Sequence, residues 1–257
     1  MSDLLSNYKI IEEDIVATKA NEGLVDNCLR LVGNLLFPLH CGNCNAPGTL
    51  LCEDCEAKLE FDHINRCLVC GGPSGLGHTH ANCLTTFTPQ KFLTVFSYRP
   101  PFSKILQRVK YKQRAFSYLE PLVKIAMRDL RERGVNFGQE AVVVPTPLHF
   151  LKQLQRGFNV SEIIAQKLAT EFDLFYQPKW LQRIRNTKTQ TKLNKEERRQ
   201  NVGRSFRVPK NYHKDLAERD ILLVDDVCTT GATLLAATHA LKEAGAGQVW
   251  CFSLARD

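Results

Sequence analysis

Two adjacent carboxylates, Asp225 and Asp226, precede a run of small and hydroxylated residues, Thr229-Thr230-Gly231-Ala232-Thr233. Gripping a sugar phosphate takes backbone N–H groups turned into one concavity, small side chains that let the anion approach, and hydroxyls to complete its coordination. This run offers all three. The apolar stretch 221–224 before it reads as a buried strand and 232–244 after it as a helix closed by Gly245, so a helix N-terminus adds partial positive charge where the phosphate would sit. The acids suit the vicinal hydroxyls of a ribose, or a magnesium ion. An ordinary strand-to-helix turn accounts for one Asp and one Thr, but not for two like charges placed side by side.

A second chemistry lies in the first third of the chain, where eight of the ten cysteines fall between Cys28 and Cys83. Cys41 and Cys44, then Cys52 and Cys55, are paired at the two-residue gap that lets both thiolates of a knuckle reach one tetrahedral zinc ion. Cys67 and Cys70, followed by His80 and Cys83, repeat the layout with an imidazole replacing one sulfur. Cytosolic thiols stay reduced, which favours metal over disulfides. Two structural zinc sites in series are expected, since full coordination by protein leaves no position for a catalytic water. Spacing alone leaves open an interleaved pairing or a single filled site. His40, His63 and His78 read as solvent-facing, and Cys28 and Cys251 as core residues.

A third feature is basic and aromatic. Between Lys91 and Leu119 there are seven Lys/Arg and no acid, interleaved with Phe92, Phe96, Tyr98, Phe102, Tyr111, Phe116 and Tyr118. Cations that track a backbone and rings that stack on bases are what single-stranded nucleic acid asks for, and Lys104, Arg108, Lys110, Lys112 and Arg114 are its candidate contacts. The plainer reading makes the rings core and the cations a solvated face. Residues 179–210 add eleven Lys/Arg against two acids. Pyrophosphate and a nucleic-acid backbone attract such segments by the same physics.

The elements that would position these groups follow from periodicity. Apolar residues at helical spacing over 24–37 lead into the cysteine module and Pro38 stops them; residues 1–23 form an extension to which no function is assigned. The stretch 92–98 reads as a strand, 103–113 and 118–133 as helices, the latter with Leu119, Leu122, Ala126 and Leu130 on one face. Val142-Val143-Val144 reads as a strand buried on both faces, Asn159 with Glu162 as a capping-box start of a helix to about 171, and 249–254 as a last strand. Strands alternating with helices predict an α/β fold, a parallel sheet flanked by helices. The domains read as 1–38, extension and lead-in helix; 39–86, double zinc ribbon; and 87–257, the α/β domain. No stretch has the apolar length of a membrane span, and Glu12, Glu13 and Asp14 break any secretory signal, so the expected location is the cytoplasm. Net charge is +7, but residues 1–60 carry four Lys/Arg against ten Asp/Glu while the remainder carries 30 against 17, a body of +13 that attracts polyanions.

Residues 221–226 followed by Thr229 to Thr233 resemble the fingerprint of type I phosphoribosyltransferases. Leu35-Leu36-Phe37-Pro38 before Cys41, Lys110-Tyr111-Lys112, Val144-Pro145-Thr146-Pro147-Leu148, Arg156-Gly157-Phe158-Asn159 and the stretch from Arg183 through Gln190, Arg198 and Asn201 to Phe206 narrow the resemblance to the competence protein F (ComF) family. It runs from about residue 24 to the end. The family often has Gln where this chain has Val160, and cysteine where it has His80. The resemblance implies the type I phosphoribosyltransferase fold and a site for phosphoribosyl pyrophosphate with magnesium. Asp225 and Asp226, the candidate catalytic residues, would hold the ribose and Thr229, Thr230, Gly231, Ala232 and Thr233 the phosphate. Thr146, Arg156 and Arg183, the last opening a loop that closes over pyrophosphate, would address the leaving group. It also implies handling of single-stranded DNA beside the uptake machinery in natural transformation. Transfer of ribose 5-phosphate to an acceptor is the enzymatic alternative, and a sensor of the nucleotide precursor a third.

Overall fold

The computed structural model describes residues 39–111, 115–148, 153–154, 156–184 and 205–257. The expected lead-in helix, the extension before it, Lys112, Arg114 and most of the basic segment after Ile184 lie outside these.

Five strands form one sheet: β1 (Lys91–Ser97), β2 (Val142–Pro145), β3 (Phe175–Tyr176), β6 (Ile221–Cys228) and β7 (Val249–Arg256), in the order β1-β7-β6-β2-β3. Every neighbouring pair is parallel. Such a sheet needs crossovers on its faces, and the buried runs of β2 and β6 carry no polar alternation because both faces are covered. A separate antiparallel hairpin pairs β4 (Gln182–Arg183) with β5 (Phe206–Arg207).

The described helices are α1 (Glu53–Glu56), α2 (Phe102–Tyr111), α3 (Leu119–Glu132), α4 (Val160–Phe172), α5 (His213–Leu216) and α6 (Ala232–Glu243). On α2, Phe102, Ile105, Leu106 and Val109 are buried at helical spacing. The expected face of α3, Leu119, Leu122, Ala126 and Leu130, is buried as well. These residues, α4 and the inward side chains Leu222 and Val224 form one core; the intervening Ile221 and Leu223 join α6, the hairpin's Phe206 and Trp180 in a second core on the opposite face.

The cysteine module belongs to both cores. Cys41, Leu51, Cys55 and Leu59 pack with Ile105 and Phe102, whereas Leu68 packs in the second core with Phe92 and Cys228. It also covers the outer edge of β1, where Asp62 N donates to Val95 O at 2.8 Å and Ser97 N to Glu60 O at 2.9 Å. An uncovered edge strand invites foreign pairing, so this packing protects the sheet while it positions the ribbons.

β6 extends to Cys228, four residues beyond the apolar stretch, because its ladder with β7 continues through Asp225↔Ser253 and Cys228↔Arg256 whatever the side chains carry. β3, β4 and β5 were not expected, as two-residue strands are too short for a period.

Candidate functional site

The chain continues from β2 outward to β3, and from β6 the other way to β7. Between the carboxyl ends of two strands whose connections diverge, a parallel sheet opens a crevice. Here it holds a cavity of about 380 Å³, with Thr146, Asp225, Asp226, Thr233, Arg156 and Arg183 among the lining residues.

Strand alternation separates the twin acids. Thr146 Oγ1 donates to Asp225 Oδ1 at 2.7 Å, Ser161 Oγ at 3.1 Å, and the backbone N–H of Asp226 at 3.0 Å. Asp226 instead meets Lys110 of α2, whose Nζ lies 2.8 Å from Oδ2. Burial, then the charge of Asp226, pushes the Asp225 carboxyl up from 3.8 to about 6, against those three hydrogen bonds. Burial also pulls Arg183 below the usual guanidinium value, and Asp225 opposes that shift.

Asn159 ties these parts together. As N-cap of α4 its side-chain oxygen accepts from Ser161 N at 3.1 Å, and its Nδ2 donates to Thr146 O at 2.9 Å and to Glu162 Oε1 at 3.2 Å. The cap expected from the sequence is present, but Glu162 meets the Asn159 amide group, and what the cap orients is the pair of hydroxyls on Asp225. Sequence reasoning missed Ser161; the one available signal was a hydroxyl two residues past an N-cap beside a motif strand.

Gly231 begins α6 with φ +76, in the left-handed region, and Leu235 N donates back to Gly231 O at 2.9 Å. Of the predicted run 229–233, Thr233 lines the crevice; Thr229 and Thr230 are exposed and outside its lining, and Ala232 opens the helix. Arg156 sits over the Tyr111 ring at 5.1 Å and Arg183 over Phe206 at 5.4 Å. Of the described nucleic-acid candidates, Lys110 lines the cavity; Lys104 and Arg108 stand on the outer stripe of α2 with Gln107 and Tyr111, both of which reach the cavity mouth. Phe92, Phe96 and Phe102 are core, while Tyr111 and Phe116 are exposed.

The metal-ligating groups fall into consecutive fours: Cys41, Cys44, Cys52 and Cys55, then Cys67, Cys70, His80 and Cys83, each with its donor atoms within 4.8 Å of one another. Tetrahedral zinc with sulfur at about 2.3 Å holds its ligands at such spacings. His80 Nε2 lies 2.8 Å from Pro73 O and donates there, which leaves Nδ1, 3.3 Å from Cys70 Sγ, as the metal donor. Both sets therefore fit zinc, and the interleaved pairing is not the one adopted.

Two family models match: a phosphoribosyl transferase domain over residues 146–257 and a double zinc ribbon over 32–84. The chain is 30% identical over 221 residues to the DNA utilization protein YhgH of Escherichia coli O157:H7, covering 78% of this chain and 95% of that one. This chain belongs to the ComF family. Competence protein F of Haemophilus influenzae is 29% identical, with 85% of this chain and 96% of that protein covered, and competence protein ComFC of Bacillus subtilis is 28% identical, with 82% and 86% covered. Among solved structures, 51% of the chain is similar to the allosteric regulatory enzyme of purine biosynthesis at 18% identity and a TM-score of 0.33, spanning 25% of that chain. In this ComF chain the phosphoribosyltransferase fold supplies the crevice and the double zinc ribbon its structural metal. No described helix is long and apolar enough to cross a membrane.

Proposed function

We propose that the crevice binds phosphoribosyl pyrophosphate with magnesium, and that the protein serves DNA uptake in transformation by handling single-stranded DNA on the cytoplasmic side. The observation that carries the first half is the divergent seating of the twin acids in one cavity with three cations, Lys110, Arg156 and Arg183. Asp225 and Asp226 would receive the ribose diol, the N–H groups and hydroxyls of 229–233 the 5-phosphate, and Arg156, Arg183 and Thr146 the pyrophosphate. Magnesium would neutralise charge on that pyrophosphate. The relatives' names support the second half, as does the outer stripe of α2, which sets Lys104 and Arg108 in line with Tyr111 at the cavity mouth.

A second reading, transfer to an acceptor, is favoured by one feature. Tyr98, Gln107 and Tyr111 give the cavity an amide and aromatic wall that phosphates do not need. The acceptor's nitrogen or phosphate oxygen would bond to the ribose C1 as the bond from C1 to the pyrophosphate oxygen breaks, and pyrophosphate would leave with the electron pair.

Titration calorimetry of phosphoribosyl pyrophosphate with magnesium tests the site: one equivalent of heat is expected in the wild type and none in Asp225→Asn with Asp226→Asn. Equal binding by both proteins overturns it. Fluorescence anisotropy of a labelled oligonucleotide, weakening steeply with salt and lost on Lys104→Ala with Arg108→Ala, tests the DNA surface. Pyrophosphate release that requires an added base or other acceptor establishes the enzymatic reading.

A further inference from the structure

We propose that the second zinc ribbon is the support of the phosphate loop, so that the metal at Cys67, Cys70, His80 and Cys83 sets how tightly the crevice grips its anion. The proposal rests on the reading of 225–233 as a phosphate grip. The decisive contact is between Leu68, which stands between the ligands Cys67 and Cys70, and Gly231, which turns the loop into α6. A Cβ at Gly231 would lie 2.8 Å from Leu68 Cδ1 and 3.2 Å from the Leu68 carbonyl oxygen. Leu68 is 5% exposed and belongs to the same buried cluster as Phe92, Cys228 and Leu234, the last two of which lie just before and just after the loop in the chain. The backbone of the knuckle thus forms the floor on which the left-handed turn at Gly231 rests.

The knuckle is in turn held from behind. Gly77 abuts the Phe92 carbonyl of β1, and Thr79 N donates to Gln90 O at 2.8 Å. A Cβ at Gly71 would come within 3.8 Å of the Arg256 guanidinium, and Arg256 is paired in register with Cys228, the residue that leads into the loop. Loop and ribbon therefore share neighbours as well as a contact. Four ligands converging on one ion constrain the 67–83 segment, which has little core of its own; without the ion the knuckle is free to relax and Leu68 with it. The first ribbon braces a different wall. There a Cβ at Gly42 would lie 2.9 Å from Tyr118 Cδ1 and 3.1 Å from Ile105 Cγ1, behind α2. The first ribbon thus packs behind α2, and the second packs against the turn at Gly231.

Hydrogen–deuterium exchange of the full chain, read at 228–234, tests this without any ligand. Leu68→Ala, which keeps every metal ligand, and His80→Ala, which removes one, are both expected to speed exchange there. Cys44→Ser is expected to speed exchange in 102–111 and leave the loop unchanged. In calorimetry, Leu68→Ala should weaken phosphoribosyl pyrophosphate roughly tenfold, the scale on which packed networks transmit coupling, with Leu68→Met restoring it. By linkage, saturating ligand should tighten zinc at the second site, measured against a chelator of known affinity, by the factor that zinc tightens ligand. Exchange at 228–234 that matches wild type in both Leu68→Ala and His80→Ala overturns the proposal. Faster exchange in a protein whose wild type binds no phosphoribosyl pyrophosphate overturns the phosphate reading and leaves the support intact.

Discussion

Asp225 shows how a site acid can be costly to its own fold. Its carboxyl titrates near 6 because burial and the neighbouring charge of Asp226 outweigh three hydrogen bonds. The folded chain therefore holds this proton at pH values where the unfolded chain, titrating near 3.8, has lost it. The contribution of Asp225 to stability falls as pH rises between those values and is flat above them. Asp225→Asn keeps an acceptor for the Asp226 amide and removes the charge. It is expected to raise stability at neutral pH by about 1 kcal/mol in urea unfolding, to flatten that pH dependence, and to abolish ligand binding. Since a ribose diol donates to the ionised form, wild-type affinity for phosphoribosyl pyrophosphate should climb as pH passes through about 6. A calorimetric series from acid to neutral pH checks this, and affinity that is flat across the range contradicts the assigned role.

Helix starts, more than helix bodies, build this site. α4 delivers Ser161 and frees Asn159 to hold the Thr146 carbonyl, so Asn159→Ala removes a cap and orphans a buried acceptor together. A loss of about 2 kcal/mol is expected in denaturant unfolding, with weaker ligand binding in the folded fraction as the two hydroxyls lose their orientation. α6 begins from a left-handed turn with no space for a side chain. Gly231→Ala should cost about 1–3 kcal/mol of stability, and more in affinity than in melting temperature, because the strain falls on the loop itself. A variant with native melting and native binding would show that the loop tolerates a shift off Leu68.

The ribbons and the α/β body share their cores and are therefore expected to melt together. Cys41 and Cys55 lie in the same core as Ile105 and Phe102, and Leu68 in the same core as Cys251 and Phe92. Removal of zinc should therefore lower the melting temperature of the whole chain in one transition. Scanning calorimetry with and without chelator checks this; an unchanged major transition beside a lost minor one would show two independent units. The basic surplus of the body bears on partners at the same scale, since both proposed ligands are polyanions and Lys104 and Arg108 share a stripe of α2 with Gln107 and Tyr111, which line the cavity.

The sequence determined by itself what depends on neighbours along the chain. A strand, two acids, a glycine turn and a helix follow one another within 221–243, and metal ligands recur at knuckle spacing, so the loop, both zinc sets and the α/β class were legible. The family resemblance supplied Thr146, Arg156 and Arg183, and all three line the cavity. Tertiary structure alone decided what depends on distance across the fold. It put Ser161 on Asp225 across a sequence separation of 64, paired Lys110 with Asp226, sorted the aromatic residues of 91–119 into core and rim, and set the knuckle that carries Leu68 against the turn at Gly231. Periodicity says which face of a helix is buried, but which charged or hydroxylated groups meet there is fixed by the order of strands in the sheet, and that order is a property of the packed whole.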